Sequence, residues 1–434
     1  MRWLAVLLCA APSATAQTSS APTMPRSRDT GISGRVVDST RSPKALRDSL
    51  LTPKAPLVAT PPIVRGLYVN RWAALGKKMW ELIGVAEHTE INALVIDVKD
   101  DRGFVLYRSR VALAHAIGAD TMRPMTAAHL RAVLDTMRTH GIYPIARIVV
   151  AKDPLLAEAH PEWAIRSRAD TSRAWRDKQG RAWLDAHQWP IWQYAADLAR
   201  EAVDLGFSEI QFDYVRFPDD KHLMREAAFP LANGRLRAQV IREQLGRVHA
   251  LLSPLGVPVT ADVFGLTATD TTDMGIGQRW EMFADQVDVV LPMSYPSHYA
   301  PGTYGFSAPN AHPYAVIDHT LKDAKRRSAA FAHPVVVRPW YQDFTLGPPH
   351  YGAAQVRDQI KAGYDNGIES WILWNPGSRY STDALGDYNA SRRSSSSAAI
   401  PACPNRCADS MPLRNATRAS SVRPSDSSAA ASRP

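Results

Sequence analysis

The sequence predicts an α/β protein whose central domain is a (β/α)8 TIM barrel. Between Arg65 and Asn375, strand-like runs alternate with amphipathic helical runs, which is the order of elements in a repeating βα unit. Polar residues of the strands share one parity and gather near the strand ends, where such barrels build their sites. Several helical runs also precede a glycine, the residue that most readily ends a helix. These glycines are Gly141, Gly206, Gly256 and Gly367.

The alternation gives eight strands and seven intervening helices. The strands are predicted at residues 65–70, 92–98, 142–149, 207–213, 257–263, 287–293, 334–340 and 368–374. The helices are predicted at residues 77–89, 126–139, 189–204, 235–252, 278–284, 313–328 and 353–364. A doubly wound open sheet is the alternative architecture. Since no Gly-x-Gly-x-x-Gly follows the first strand, nothing indicates a dinucleotide-binding fold.

The two ends of the chain differ from the barrel in composition. The first residues combine Arg2, an apolar run and Ala14-Thr15-Ala16, a pattern typical of a secretory signal peptide. The predicted divisions are a signal peptide at 1–16, a disordered Ser/Pro/Arg-rich linker at 17–64, the barrel at 65–380 and a disordered, basic low-complexity tail at 381–434. No later run is long and apolar enough for a transmembrane segment. We therefore expect a secreted or periplasmic protein.

The formal net charge of +9 is carried by the ends of the chain. Residues 1–64 and residues 389–434 each carry a net charge of +5, and the segment between them carries −1. A groove for phosphate backbones needs clustered cations on the folded domain itself. The distribution therefore predicts no nucleic-acid partner.

Cysteine and histidine usage indicates neither a cofactor nor a metal site. Cys403 and Cys407 are the cysteines beyond the predicted signal peptide, and in an exported protein this pair favours a local disulfide over a metal or redox site. The histidines are scattered, and the chain has no His-Glu-x-x-His, Gly-x-Ser-x-Gly or phosphate-binding loop. We predict that the protein needs no cofactor.

The stretch Gly206–Pro218 is the strongest candidate for a catalytic strand. Its alternation places Glu209, Gln211 and Asp213 on one face and apolar residues, with Tyr214, on the other. Asp213 is predicted at the end of this fourth strand, where a carboxylate suits a nucleophile or a charge stabiliser. Arg216, three residues later, is the expected partner that keeps Asp213 ionised. A structural Asp that caps the next segment is the alternative.

Two further carboxylates are candidates for the catalytic acid. Asp262 ends the fifth strand with the same parity as Asp213, and neighbouring barrel strands bring two such groups within the range of a glycosidase pair. Asp97 ends the second strand beside Lys99, Asp100 and Asp101. Catalysis, a cation site and a solvated loop are equal alternatives for this acidic segment.

The remaining strand ends predict substrate-binding groups on one rim. Long connections are usually functional or disordered, and the one at 151–192 contains five tryptophans. They are interpreted as a wall on which sugars stack, with a packed lid as the alternative. The predicted substrate-binding residues are Tyr68, Asn70, Lys99, Arg147, Trp163, Trp183, Gln211, Arg216, Tyr295, His298, Trp340, Trp374 and Asn375.

Several motifs resemble a bacterial family of glycoside hydrolases that was long catalogued as a domain of unknown function. They are Arg65-Gly-Leu-Tyr-Val-Asn70, Ala93-Leu-Val-Ile-Asp-Val-Lys-Asp100, Ala157-Glu-Ala-His-Pro-Glu-Trp163, Glu209-Ile-Gln-Phe-Asp-Tyr-Val-Arg-Phe-Pro218 and Trp371-Ile-Leu-Trp-Asn375. The resemblance covers residues 63 to 380. It implies a distant likeness to α-amylase-type barrels, and by strand position it implies Asp213 as nucleophile and Asp262 as acid. Those enzymes have Glu as the acid, whereas this chain has the shorter Asp262.

The sequence therefore predicts an exported glycoside hydrolase that acts on a polysaccharide through Asp213 and Asp262, with a carbohydrate as its partner. One alternative is a non-catalytic carbohydrate-binding barrel of the cell envelope, which would keep its affinity for glycans when Asp213 is replaced. Another is a metal-dependent hydrolase that uses Asp97, Asp100 and Asp101, which would be sensitive to chelators.

Overall fold

Eight parallel strands form the wall of a closed barrel in the computed structural model, which describes residues 58–386. The strands are β1 Arg65–Val69, β2 Ala93–Lys99, β3 Tyr143–Val149, β4 Glu209–Asp213, β5 Val259–Phe264, β6 Val289–Met293, β7 Val336–Val337 with Trp340–Gln342, and β8 Trp371–Trp374. Each strand pairs with its neighbour in sequence order, and β8 pairs with β1, so the barrel has no free edge. The (β/α)8 prediction is confirmed.

One numbered helix lies in each of the seven connections between consecutive strands. They are α1 Lys77–His88, α2 Ala127–Thr139, α3 Trp189–Leu205, α4 Arg237–Leu252, α5 Trp280–Phe283, α6 Pro313–Ser328 and α7 Ala353–Asp365. Additional short helices span Arg71–Ala74, Ala112–Ala116 and Pro154–Ala159. Single 3-10 turns span Pro161–Trp163, Leu223–Glu226, Ser253–Leu255, Gly265–Ala268, Ala284–Gln286, Pro296–His298, Thr303–Gly305, Pro309–Ala311 and Thr382–Ala384. Gly206 ends α3 with φ of 123°, a backbone conformation that side chains with a Cβ disfavour.

The strand parity separates two hydrophobic layers. The outward-facing Ile210 and Phe212 of β4 belong to the large cluster between the strands and the helices. The lumen of the barrel holds a second cluster that includes Tyr68, Ile145 and Trp340. The lumen face of β4 carries Glu209, Gln211 and Asp213 instead, as the alternation predicts.

The seventh strand is interrupted in its middle. Val336–Val337 pairs with β6, and Trp340–Gln342 pairs with β8 as well as with Met293 of β6. Pro339 lies between the two pieces and has no N–H to donate to a neighbouring strand. The missing N–H of Pro339 therefore accounts for the break in the strand. After the break, Trp340 lies in the lumen.

The connection between β3 and α3 folds as a small layer of its own. Arg166–Ser167 pairs antiparallel with Ala227–Ala228 of the connection that follows β4. Trp175 and Trp183 are buried beneath this two-stranded sheet in a cluster with Met224. The tryptophans of the connection thus supply its own core, which is the packed-lid alternative.

Predictions on the chain ends lie largely outside residues 58–386. These are the signal peptide, most of the linker and the tail, and the Cys403–Cys407 pair. Within the part of the chain that the structure describes, no helix combines the length and the apolar character needed to span a bilayer.

Candidate active site

Three carboxylates meet one guanidinium at the carboxyl ends of the strands. Asp97 comes from β2, Arg147 from β3, Asp213 from β4 and Asp262 from β5. Arg147 Nη1 donates to Asp97 Oδ1 at 2.5 Å. Its Nη2 and Nε donate to Asp213 Oδ2, the latter at 3.1 Å, and Nε lies 3.8 Å from Asp262 Oδ2. The side chain that organises this end of the lumen is therefore Arg147.

Asp213 is held by the backbone as well as by Arg147. The Tyr214 N–H donates to Asp213 Oδ1 at 2.5 Å. Tyr214 has a left-handed φ of 53°, which is costly for a residue with a Cβ and is typical of functional sites. This conformation turns Tyr214 toward the cavity instead of continuing the outward parity of β4.

Arg216 does not bond to Asp213, contrary to the prediction from their spacing. Its guanidinium donates to the Phe217 carbonyl oxygen at 3.0 Å and to Asp219 at 3.3 Å. It lies 4.4 Å from the centre of the Phe264 ring. The left-handed turn at Tyr214 separates Arg216 from the strand end, and Arg147 of the neighbouring strand takes the predicted role.

Asp262 is a buried carboxyl group surrounded by hydrogen-bond donors. Gln211 Nε2 donates to its two oxygens at 2.8 and 3.0 Å, and Trp340 Nε1 donates to Oδ1 at 2.6 Å. Burial and the negative charge of Asp213 raise the pKa of Asp262 well above its usual range, although Arg147 and these donors act in the opposite direction. The surroundings of Asp262 therefore favour its protonated form.

Asp97 is the third carboxylate of the group. It accepts a hydrogen bond from the Tyr68 hydroxyl at 2.5 Å in addition to that from Arg147. Burial raises the pKa of Asp97 to about 6, against the opposing effect of the Arg147 charge. Asp97 and Tyr68 thus fix Arg147 from the side opposite Asp213.

The carboxylates of Asp213 and Asp262 lie close together. Their Oδ2 atoms are 3.1 Å and 3.8 Å from the same Arg147 nitrogen, so these two oxygens are at most 6.9 Å apart. Retaining glycosidases separate their carboxyl groups by about 5 to 5.5 Å, and inverting enzymes by about 6.5 to 9.5 Å.

A cavity of about 690 Å³ opens above the pair. Tyr295 stacks on Trp374 with ring centroids 5.4 Å apart, and Trp340 stands edge-on to Tyr68. His298 also lines the cavity, and burial lowers its pKa, which favours the neutral ring near pH 7. The predicted site residues that line the cavity are Arg147, Asp213, Arg216, Asp262, Tyr295, His298, Trp340 and Trp374.

Lys99 is a predicted site residue that faces away from the lumen. The pairing of β2 with β3 has a bulge between Asp97 and Lys99, which breaks the alternation by one residue. Lys99 Nζ consequently points outward, donates to the Val149 carbonyl oxygen at 2.6 Å and pairs with Asp153 at 2.8 Å.

Four other predicted binding residues have structural partners elsewhere. Asn70 caps the helix Arg71–Ala74, and Asn375 Nδ2 donates to the Asp343 carbonyl oxygen at 2.6 Å. Trp163 stacks on His160 at 4.1 Å, and Trp183 donates to Asp177 from within the buried cluster of the β3–α3 connection. None of these side chains lines the cavity.

The acidic segment after β2 does not converge on one point. Asp100 accepts hydrogen bonds from the Arg102 and Phe104 N–H groups, whereas Asp101 pairs with Lys152 at 2.7 Å. Asp97 is bound to Arg147. In residues 58–386, no three His, Cys, Asp or Glu side chains are grouped as a metal-ligand set.

Several cavity residues were missed from the sequence. Phe264 shares the parity of Asp262 two residues earlier, so extending that strand would have found it. Tyr214 could not be found, because its direction depends on a left-handed backbone conformation. The others are Asp219, Lys221, Gly265, Leu266, Asp270, Met274, Ile276, Met293, Tyr299 and Ala300, which lie mainly on the connections after β4, β5 and β6.

Residues 66–380 match a family described as "Putative glycosyl hydrolase domain". The chain belongs to this family. The match covers the strands that carry Asp97, Arg147, Asp213 and Asp262, so the charged group at the strand ends is part of the glycosyl hydrolase domain. No curated protein matches the chain.

One solved structure supports the fold of the glycosyl hydrolase domain, and a second is similar to part of the chain in sequence. The chain is similar to the PgaB (BpsB) glycoside hydrolase domain from Bordetella bronchiseptica, at 13% identity and a TM-score of 0.53, over 75% of this chain and 99% of that one. It is also similar to a hypothetical protein from Ruminiclostridium thermocellum ATCC 27405, at 35% identity and a TM-score of 0.41, over 45% of this chain and 97% of that one.

Proposed function

We propose that the protein is an exported glycoside hydrolase that cleaves O-glycosidic bonds of a polysaccharide, with Asp213 as nucleophile or charge stabiliser and Asp262 as acid and base. The observation that carries this proposal is geometric, since Asp213 and Asp262 contact the same Arg147 at the mouth of one cavity. Arg147 donates charge-assisted hydrogen bonds to Asp213, whereas burial and the charge of Asp213 raise the pKa of Asp262. A glycosidase uses one carboxyl group as a carboxylate and the other as an acid.

Asp213 suits attack at the anomeric carbon. Arg147 and the Tyr214 N–H hold its oxygens in place and stabilise negative charge on them. In the proposed first step, Asp213 forms an ester bond to the anomeric carbon while the bond to the leaving oxygen breaks. The upper limit of 6.9 Å on the Oδ2 separation is compatible with this retaining course.

Asp262 suits the transfer of the proton. Its protonated form, which burial favours, gives the proton to the leaving oxygen in the first step. In the second step its carboxylate accepts a proton from the water that attacks the anomeric carbon, and the ester to Asp213 breaks. Gln211 and Trp340 orient Asp262 throughout, because both donate to it from fixed positions in the lumen.

The walls of the cavity suit sugar rings. Trp374, Tyr295 and Phe264 supply apolar faces beside the carboxylates, and sugar rings pack their C–H faces on such surfaces. The signal-peptide pattern at residues 1–16 supports export, and with it an envelope or environmental polysaccharide as substrate.

Release of reducing ends from a panel of bacterial and plant polysaccharides tests the proposal. Replacing Asp213 by Asn keeps the shape of the side chain but removes the nucleophile, so we expect kcat to fall by about 10³-fold or more. Asp219→Asn is the matched control, because Asp219 lies on the outer wall of the same cavity and its side chain is 54% exposed. It should change kcat by less than about tenfold.

Two outcomes would contradict the hydrolase proposal. If neither the wild type nor Asp213→Asn releases reducing ends while both bind a glycan, the domain is a carbohydrate-binding barrel. If wild-type activity is lost in a chelator and restored by a divalent cation, the reaction depends on a metal and the carboxylate-pair mechanism is wrong.

A further inference from the structure

Trp72 is an exposed aromatic side chain on the same end of the barrel as the cavity. It lies in the short helix Arg71–Ala74, which begins directly after β1, and 47% of its surface is exposed. Tyr68, four residues earlier, contacts Trp374 of the cavity wall at a centroid distance of 6.1 Å. Four residues of chain span at most about 14 Å, so Trp72 lies within reach of a glycan bound in the cavity.

Two arginines accompany Trp72. The guanidinium carbons of Arg71 and Arg102 lie 5.1 Å and 5.7 Å from the centre of the Trp72 ring. Both are also within 6 Å of the centre of the Phe104 ring. We call Arg71, Trp72, Arg102 and Phe104 the rim cluster. It combines an exposed apolar face with two cations.

The positive charge of the rim cluster is only partly compensated. All three guanidinium nitrogens of Arg71 are buried and have no hydrogen-bond partner among residues 58–386. The neighbouring carboxylate, Asp100, lies 3.7 Å from Arg102 and already accepts two backbone N–H groups. Burial lowers the pKa of Arg71, with Asp100 opposing this effect and Arg102 adding to it. Because an unpaired buried cation is costly, an anion at this position would stabilise the fold.

We propose that the rim cluster is a glycan-binding subsite, outside the catalytic cavity, for a sugar that carries a carboxylate. The sugar ring packs on Trp72, and the carboxylate accepts hydrogen bonds from the planar guanidinium group of Arg102, whose side chain is 42% exposed. The buried charge of Arg71 lies next to Trp72 and attracts the same carboxylate. The inference rests on the proposed function in taking the ligand to be a glycan, and it narrows the substrate to an acidic polysaccharide rich in uronate.

Calorimetric titration with trigalacturonate and with its methyl ester tests the subsite. The full chain is used with Asp213→Asn, so that no turnover occurs during the titration. The acid should bind and the neutral ester should bind at least about tenfold more weakly, because the ester cannot replace the charge-assisted hydrogen bonds. Trp72→Ala and Arg102→Gln should each weaken binding of the acid by about tenfold or more.

Trp80→Ala is the matched control. Trp80 lies on α1 and is 48% exposed, nearly the same as Trp72. The basic ends of the chain attract any polyanion, but that contribution is equal in all variants and is kept small by the short ligand. The inference is overturned if the Asp213→Asn protein does not bind the acid, if it binds acid and ester equally, or if adding Trp72→Ala to it leaves binding as tight as adding Trp80→Ala.

The result is separable from the test of hydrolysis. If the rim cluster does not bind the acid as expected while Asp213-dependent release of reducing ends is found, the hydrolase proposal stands and the subsite proposal is wrong. If the subsite binds as expected but no polysaccharide is cleaved, the rim cluster belongs to a carbohydrate-binding barrel and the hydrolase proposal is wrong.

Discussion

Arg147 shows which parts of the site can be predicted from sequence and which cannot. Strand parity and strand order identified Arg147, Asp213 and Asp262 as members of one rim. They did not identify the ion pairs, because Arg147 and Asp213 are 66 residues apart and meet only through the pairing of β3 with β4. The sequence favours Arg216 as the partner of Asp213 because the two are near in sequence. The left-handed turn at Tyr214 instead separates Arg216 from the end of β4.

Trp340 is one of the groups that lower the pKa of Asp262, against the larger raising effects of burial and of the Asp213 charge. Trp340→Phe keeps an aromatic ring in the lumen but removes the N–H that lowers the pKa of Asp262. We expect that pKa to rise further. Since an acid must be protonated to act, the alkaline limb of the kcat/KM profile should move to higher pH, and kcat should fall by about tenfold. Trp374→Phe, in the same cavity, should leave the limb in place. An unmoved limb in Trp340→Phe would contradict the acid role of Asp262.

Asp97 makes the folding stability depend on pH. Its folded-state pKa of about 6 lies above the ordinary value for Asp. Between pH 4 and 6 the folded state therefore binds more protons than the unfolded state, so the Asp97 contribution to the free energy of unfolding falls as pH rises through this range. Asp97→Asn should remove this fall.

Denaturant unfolding at about pH 4.5 and 7 measures the effect of Asp97. In the wild type, Asp97 lowers the free energy of unfolding at pH 7 relative to that at pH 4.5. Asp97→Asn lacks this contribution, so its free energy of unfolding at pH 7, relative to that at pH 4.5, should be higher than in the wild type. Asp135→Asn, on the exposed surface of α2, should show the wild-type difference. If Asp97→Asn also shows the wild-type difference, the pKa of Asp97 is not raised in the folded state.

At the scale of elements, periodicity predicted the strands well and failed where the backbone departs from regular geometry. The bulge in β2 reversed the direction of Lys99, and the positive φ of Tyr214 ended the alternation of β4. Pro339 divided β7 into two pieces. The five tryptophans of residues 151–192, two of which belong to α3, have no periodicity that distinguishes a binding wall from a small core, so composition alone leaves both alternatives open.

The β3–α3 connection should behave as a packed element. Trp175 is buried in its core and donates to the Leu223 carbonyl oxygen at 2.9 Å. Trp175→Ala should lower the free energy of unfolding by about 3 to 5 kcal/mol. Trp163→Ala is the control, because Trp163 is only half-buried, and it should cost clearly less. Equal melting curves for Trp175→Ala and the wild type would show that this core contributes nothing to stability.

At the scale of the whole molecule, a buried ion pair joins opposite parts of the barrel wall. Arg338 of the β7 interruption donates to Glu209 of β4 at 2.7 Å, and the two side chains are 4% and 0% exposed. Thr260 of β5 also donates to Glu209. The lumen therefore has a charged layer at Glu209, separate from the carboxylates at the other end of β4.

Removing one partner of this pair should destabilise the whole barrel. Arg338→Met leaves Glu209 buried without its cation, and we expect the free energy of unfolding to fall by about 3 to 5 kcal/mol. Arg242→Met is the control, because it breaks the half-exposed pair with Asp285 and should cost about 1 kcal/mol or less. Recovery of stability in Arg338→Met/Glu209→Met would identify the unpaired charge as the cause. Thermal melting that is unchanged in Arg338→Met would show that the pair does not hold the barrel together.

The bulge in β2 has a consequence for the comparison of relatives. One extra residue lets Asp97 serve the catalytic end of the lumen while Lys99, two positions later, holds the outer layer through Asp153. A relative that lacks the extra residue would show a single gap at this point in an alignment. With the gap placed at the bulge, residues after Asp97 that occupy the same column in the two chains face the same layer of the protein, whereas a gap placed beyond the strand would pair residues that face different layers.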